Sequence, residues 1–580
     1  MKFRIEVCCV VICLFANSTL AQKFLWTKPI STGLYTKYSG IAIDHHHNII
    51  ASGSYDFVCK IDTTILSVNY DYGGYLTKFD SNGNVLWVRG LHVKGPYMDI
   101  RIKNVTVDSD DNIFIAGFFN KPFLFFSSID SLSAGVTGGS SFFAKYDSSG
   151  NFLWANCTAR PVDNISSCTF DALTLDNQNS IIVSGLFSGK VEFSSDTLTD
   201  TGSIAAAYIT KYTSSGSLIW AKKCSSQFGI DLRSLATDSL DNIYATGYVT
   251  GDAVIDTGIV YAGPDTGVHI ITSKFDANGN YIWGRVFKYK NITESNEVGN
   301  SIAVGKNGDV FVGGSLTDST TWSYYHVLQL FDVHAVVLKY SSTGSLLWQQ
   351  HLKPASYISS SIIEGNGIVL DRFGDPYFTG NYDTALKVDT TILPQHDSGN
   401  IFICKLDSKT GKPLWTVGGG GVHRVKSYGI AIDQYNNKIG IIGPFLHSAI
   451  FGDSTVTAYP LYVVPNGMFI TYMGNYFNSN TGDTTNAVAI TNKNSKNISL
   501  YPNPTSGTFY LRGSINDLSY QFGKIRIVNP LGQVVYEDAV EIDKGILFKE
   551  ISLQAVPGAM YFLELRADKT YTFPFTMVHK

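Results

Sequence analysis

The sequence predicts an all-β chain: a seven-bladed β-propeller followed by a separate all-β segment. Three observations lead there. A hairpin ending in tryptophan recurs six times, a second hairpin with an acidic turn alternates with it seven times, and the pattern stops at residue 474 before a polar stretch and a non-repeating tail. Two hairpins per repeat give four strands, the content of one propeller blade.

The tryptophan hairpin reads GYLTKFDSNGNVLW (74–87), SFFAKYDSSGNFLW (141–154) and AYITKYTSSGSLIW (207–220), and returns as ITSKFDANGNYIW (271–283), VVLKYSSTGSLLW (336–348) and IFICKLDSKTGKPLW (401–415). Each copy places its glycine four residues before its tryptophan, from Gly83 and Trp87 to Gly411 and Trp415. Alternating apolar residues run into a polar turn where glycine takes the positive φ, and a second strand ends in the bulky indole.

The acidic-turn hairpin appears as GIAIDHHHNIIASG (40–53), NVTVDSDDNIFIAG (104–117), ALTLDNQNSIIVSG (172–185) and SLATDSLDNIYATG (234–247). It continues as SIAVGKNGDVFVGG (301–314), GIVLDRFGDPYFTG (367–380) and GIAIDQYNNKIGIIG (429–443). From Asp44 to Asp433 is 389 residues over six steps, about 65 per repeat. The first hairpin lacks a seventh complete copy, but its halves survive at opposite ends. GMFITYMG (467–474) resembles the leading strand and KFLWTKP (23–29) the tryptophan strand. Their pairing makes the N-terminal strand close the last blade and removes two exposed sheet edges. Seven of the eight tryptophans occupy the one repeat position, which reads as packing rather than ligand stacking.

Residues 1–21 read as a signal peptide: Lys2 and Arg4 at the start, an apolar run from Val7 to Phe15 too short to span a bilayer, and Thr19-Leu20-Ala21 before Gln22. Cys13 lacks the small residue that precedes a lipoprotein cysteine. No later segment is apolar enough to be a membrane span, so none is expected. Cys59, Cys157, Cys168, Cys224 and Cys404 remain after cleavage; Cys157 and Cys168 either close a loop or stay as buried thiols. With 44 basic and 48 acidic residues the net charge is −4, so no overall basic excess favours nucleic acid or an anionic membrane surface. Charged residues are 16% and aromatics 13%, with 54 glycines, as many short strands and tight turns require.

Residues 475–497 are rich in Asn, Thr and Ser, as a flexible linker is. The tail beyond carries Tyr501-Pro502-Asn503-Pro504 with Gly507, Leu531-Gly532-Gln533, Pro557-Gly558 with Tyr561-Phe562, and a terminal Lys580. In this order, over 498–580, they resemble the type A C-terminal sorting domain of the type IX secretion system of Bacteroidota. The resemblance implies a small Ig-like β-sandwich read by the outer-membrane secretion machinery, with the chain released or held at the cell surface. The region 22–474 resembles bacterial surface repeats of the forms D-x-x-G-N and K-x-D-x-x-G-x-x-x-W. That implies architecture and little about function.

Catalytic signatures are sparse. G-x-S-x-G, H-E-x-x-H and phosphate loops are absent. The sialidase hairpin S-x-D-x-G-x-x-W is not matched, because glycine precedes tryptophan by four positions. KLDSKTGKPLW (405–415) looks like a quinoprotein docking motif, but no other copy carries Thr-Gly-Lys and the repeats number seven rather than eight. The acidic turns DSDDN (108–112) and DANGN (276–280) read as hairpin turns rather than calcium loops. His45-His46-His47 reads as surface decoration rather than a closed metal site. Asp followed by Ser or Thr, as at Asp62-Thr63, Asp130-Ser131, Asp196-Thr197, Asp389-Thr390 and Asp453-Ser454, resembles an O-glycosylation acceptor and equally a repeated structural turn.

The expectation is therefore an exported, monomeric binding or scaffold module. It needs no metal or cofactor, and its ligand is a glycan or a surface protein. The alternative is a secreted polysaccharide-active hydrolase or lyase with carboxylates converging in the propeller funnel. The fifth repeat departs most, with Gly305 in place of Asp and an inserted WSYYH (322–326). Trp322, Tyr324 and Tyr325 are accordingly the candidate ligand contacts.

Overall fold

The computed structural model describes residues 22–475 and 498–576 apart from short segments, the longest of them 33–38, 290–295, 323–328, 459–465, 502–507, 515–520 and 554–559. The fold is all-β and multi-sheet, in two compact units, one ending at Tyr476 and the other beginning at Phe477. Residues 1–21, expected to be a signal peptide, and the stretch 476–497 lie outside the described residues.

Among the described residues of the first unit, each repeat contributes four antiparallel strands in chain order. Repeat four is the plainest: Ile230–Thr237 pairs with Ile243–Thr250, that with Val268–Phe275, and that with Tyr281–Phe287. The second strand is buried on both faces and opens on the apolar run Ile243-Tyr244-Ala245. In repeat seven the fourth strand is Gln22–Thr32, which runs antiparallel to Asn466–Asn475 in a register from Gln22↔Asn475 to Thr32↔Asn466. The first strands of successive repeats pack against one another, and Gly429–Ile432 of repeat seven packs against Ser39–Ile43 of repeat one.

The tryptophans explain the turn glycines. Gly83 sits against Trp26, Gly150 against Trp87, Gly216 against Trp154, Gly279 against Trp220, Gly344 against Trp283 and Gly411 against Trp348. Each indole thus lies under the hairpin turn of the following repeat. The turn glycine is needed twice over, for a φ of 71–86° and for lack of a Cβ.

A second tie between repeats has no counterpart in the repeat pattern. The segment between second and third strands forms a peripheral hairpin that pairs with the fourth strand of the preceding repeat. Examples are Cys224↔Ile255, Lys353↔Lys387 and Gly420↔Ile450. Asp62 and Asp389 of the Asp-Thr pairs are turn residues of this segment, each with φ 52°.

The second unit threads seven strands along one hydrogen-bonded path. Ile498–Tyr501, Thr508–Ser514 and Ile546–Ser552 form one group, and Gln521–Val528, Val534–Asp543, Met560–Arg566 and Thr570–Thr576 the other. Alternate residues of both groups, Phe509, Leu511 and Ile551 with Ile525, Ile527, Leu563 and Leu565, share a single core. Tyr561 of the sorting motif is 2% exposed within it. The Tyr501 side chain, Pro502, Asn503, Pro504, Gly507, Gly532, Pro557, Gly558 and Lys580 lie outside the described residues.

Candidate functional site

One residue at the same repeat position in every copy lines a single cavity of about 370 Å³: Ser39, Lys103, Asp171, Arg233, Asn300, Asn366 and Tyr428. Each immediately precedes the acidic-turn hairpin. In four repeats the first strand is bulged at this point, the register skipping Lys103, Arg233, Asn300 and Asn366. A bulge inserts one unpaired residue and re-aims its side chain.

The glycine that ends each acidic-turn hairpin belongs to the same device. A Cβ on Gly117, Gly247, Gly314 or Gly380 would collide with the backbone carbonyl of Arg101, Asp231, Val298 or Glu364, two residues before the bulged one. The same close approach recurs at Gly185 with the Thr169 carbonyl and at Gly443 with the Lys426 carbonyl, so the glycine accommodates a carbonyl of the first strand in bulged and unbulged repeats alike.

The cavity side chains are linked from one repeat to the next. Lys103 Nζ meets Asp171 Oδ1 at 2.9 Å. Arg233 Nε donates to Asp231 Oδ2 at 2.9 Å and its Nη1 to Asn300 Oδ1 at 3.4 Å, with the guanidinium 5.1 Å from the Tyr248 ring centroid. Asn300 Nδ2 donates to the Gly365 carbonyl and Asn366 Nδ2 to the Ser427 carbonyl, both at 2.8 Å. Lys426 Nζ lies 3.0 Å from Glu364 Oε2.

The carboxylates are not equivalent. Burial pushes Glu364 up, but Lys426 and the Asn381 amide outweigh it, and its pKa falls below the ordinary glutamate value. Burial and then the charge of Asp171 push Asp231 up to about 6, and Arg233 offsets this only in part. Asp171 Oδ2 and Asp231 Oδ1 are buried and have no hydrogen-bond partner.

A raised carboxyl pKa makes the folded state bind the extra proton, so this contribution is present at low pH and lost as pH rises through about 6. The stability of the wild type relative to Asp231→Asn is expected to fall by about 2–3 kcal/mol between pH 4 and pH 7. Urea denaturation of both proteins across that range checks it.

The other recurrent charges are scaffold. The lysine of each tryptophan hairpin pairs with the turn aspartate of its own repeat: Lys78 with Asp44 and Lys211 with Asp176 at 2.8 Å, Lys145 with Asp108 at 3.1 Å, Lys405 with Asp371 at 2.8 Å. In repeat five, where Gly305 replaces the aspartate, Lys339 turns to Asp309 at 2.7 Å. The oxygens of the acidic turns cap their own backbone, Asp108 Oδ1 accepting from Asp110 and Asn112, and Asp276 Oδ1 from Asn278 and Asn280.

Repeat seven has Tyr472 in the lysine's register position, and its buried Asp433 receives His47 Nδ1 at 2.7 Å. His45 and His46 both place Nδ1 2.7 Å from the Asp111 carboxylate. The imidazoles are solvent-facing, yet they tie the turn of repeat one to those of repeats two and seven. Asp44, His46 and Asp111 bring ligand atoms within 4.8 Å of one another, a donor set a transition metal accepts.

The five described cysteines, Cys59, Cys157, Cys168, Cys224 and Cys404, are free thiols. Burial pushes Cys168, Cys224 and Cys404 up to about 12, which removes them from thiolate chemistry. Of the sequence candidates, Tyr324 and Tyr325 and the Trp322 side chain lie outside the described residues. The cavity instead draws on every repeat. Sequence comparison of the copies passes over it, because only Asn300 and Asn366 of its seven positions share a residue type.

Comparison with known proteins bears mainly on the tail. Residues 499–577 match the secretion system C-terminal sorting domain. The chain is a secreted or cell-surface protein that crosses the outer membrane. Its sorting domain implies interaction with the type IX secretion machinery. Among the described residues no helix is long and apolar enough to cross a membrane. An uncharacterized WD repeat-containing protein of Acanthamoeba polyphaga mimivirus is 30% identical over 163 residues, 25% of this chain and 11% of that protein's length. Two solved structures overlap it slightly. A protein of unknown function from Bacteroides caccae has 10% identity and TM-score 0.28, over 56% of this chain and 93% of that one. A luciferin-regenerating enzyme has 8% identity and TM-score 0.29, over 77% and 94%.

Proposed function

We propose that residues 22–474 form a seven-bladed β-propeller closed by its N-terminal strand, exported as a binding module whose ligand enters the polar cavity of the first strands. The closing pairs between Gln22–Thr32 and Asn466–Asn475, and the packing of the last first strand on the first, support the closed ring. In this reading residues 498–580 are an Ig-like sandwich that serves as the type IX sorting signal, and the propeller works as a monomer.

One observation carries the binding site. Scaffold positions repeat the same residue type, whereas the cavity position holds Ser, Lys, Asp, Arg, Asn, Asn and Tyr, four of them on bulges. A packing role needs uniformity from repeat to repeat; a surface shaped to one asymmetric ligand needs difference. Amide, hydroxyl and charged groups beside the apolar patches of Ile41, Val105 and Ile430 suit a glycan. Trp322, Tyr324 and Tyr325 are proposed as a second contact, since the insertion interrupts an otherwise regular repeat.

The test is a glycan array read with the mature chain, then affinity measurements on the hits. Arg233→Ala and Asn366→Ala are expected to weaken binding at least tenfold, while Lys222→Ala, whose Asp256 pair lies away from the cavity, leaves it unchanged. Binding that survives both cavity changes and is lost on replacing Trp322, Tyr324 and Tyr325 moves the site to the fifth repeat. A polysaccharide-active enzyme is the second reading. The paired Asp171 and Asp231, one of them with a pKa of about 6, favour it, and release of reducing ends from a bound glycan would establish it.

A further inference from the structure

We propose that the guanidinium of Arg233 is a subsite for an acidic group, so that the glycan entering the cavity carries a uronate carboxylate or a sulfate ester. The inference rests on the cavity being the ligand site.

Arg233 is fixed by the protein at two of its nitrogens and on one face. Nε donates to Asp231 Oδ2 at 2.9 Å, Nη1 donates to Asn300 Oδ1 at 3.4 Å, and the Tyr248 ring centroid lies 5.1 Å from the guanidinium carbon. Nη2 has no hydrogen-bond partner among the described residues. The side chain lines the cavity and is 41% exposed, so that nitrogen is open to a ligand. An arginine held in this way offers its remaining N–H groups to a carboxylate or sulfate without first losing the freedom of an unrestrained side chain.

The charge on the wall has the matching sign. The lining residues include two cations, Lys103 and Arg233, and one carboxylate, Asp171. Lys103 and Asp171 neutralise each other at 2.9 Å. The counter-ion of Arg233 is Asp231, which is 7% exposed and does not line the cavity, so a ligand meets the guanidinium and not its partner. Burial and then the charge of Asp171 raise Asp231 to about 6, Arg233 and Lys103 offset this only in part, and the neighbouring Tyr248 phenol is pushed up and stays neutral. Below that pH Asp231 holds its proton and the charge of Arg233 is uncompensated. An anion at Nη2 adds negative charge near Asp231 and favours the same proton, so affinity rises as pH falls through about 6. Beside Arg233, Asn104, Ser234, Ser301 and Asn366 offer the neutral groups that sugar hydroxyls need.

Calorimetry with the full mature chain decides the matter. The probes are galacturonate oligomers beside their carboxyl-reduced forms, and sulfated galactose oligomers beside their desulfated forms, all of equal length. At pH 5.5 an acidic series is expected to bind about tenfold more tightly than its neutral counterpart, and the pair that shows this identifies the acidic group. The preference should fall about fivefold by pH 7.5, where both acidic groups are still ionised and Asp231 has lost its proton. Arg233→Gln should abolish it. Asp231→Asn keeps an acceptor for Nε and removes the titrating group, so the preference should then hold unchanged from pH 5.5 to pH 7.5; this readout does not depend on the Arg233 variant folding. Equal affinity within both pairs, no binding by either acidic series, or a preference that survives Arg233→Gln overturns the acidic subsite. The cavity reading still stands in those cases if the glycan-array hits lose affinity on Asn366→Ala. Hits indifferent to both Arg233→Ala and Asn366→Ala overturn the two together.

Discussion

A chain that begins at residue 33 is expected to lose cooperative folding. The strand it lacks, Gln22–Thr32, pairs along its length with Asn466–Asn475 and at its end with Cys59–Ile61. It also carries Phe24 against Phe451, fully buried Ile30, and Trp26 between Phe79 and Tyr472 under the turn of Gly83. Each large side chain contributes about 3–5 kcal/mol when buried, so loss of the strand exceeds the whole stability of an ordinary domain. It also bares two strand edges to aggregation. Circular dichroism melts and gel filtration check this. A sharp melt like that of the intact chain would show that the N-terminal strand is dispensable.

Gly247→Ala should both destabilise the protein and empty the cavity of Arg233. The added methyl would strike the Asp231 carbonyl, and the clash is with backbone, so the bulge itself must shift. A cost of about 2–4 kcal/mol is expected, the range for overpacking with backbone strain. Gly202→Ala is the control, because its Cβ meets nothing nearer than 3.4 Å. Urea denaturation gives the stability difference, and glycan affinity reports whether Arg233 has moved. A Gly247→Ala protein as stable as the control would remove the structural reason for the repeated glycine.

Much of the scaffold was legible in sequence because its residues recur. The glycine-to-tryptophan interval, the lysine before the turn and the turn aspartate return in nearly every copy, and they prove to be one indole–glycine contact and one ion pair. The cavity was illegible for the opposite reason. Lys103, Asp171 and Arg233 share a position but not a residue type, and a bulge leaves no mark in sequence beyond a glycine fourteen residues later. The peripheral hairpins were missed because their partners belong to the preceding repeat. The histidine run read as decoration, since its acceptors, Asp111 and Asp433, lie 65 and 386 residues from His46 and His47. Sequence difference pointed to Trp322, Tyr324 and Tyr325, where one repeat departs from the rest. The described cavity arises where six residue types occupy seven equivalent positions.

The most direct test of the account is the location of the protein in a Bacteroidota host, with and without residues 498–580. Fractionation and intact-mass analysis should find the full chain at the surface or in the medium, its tail removed, and the truncated chain held in the periplasm. Export that proceeds equally without residues 498–580 would contradict the account, because the chain would then reach the surface by another route.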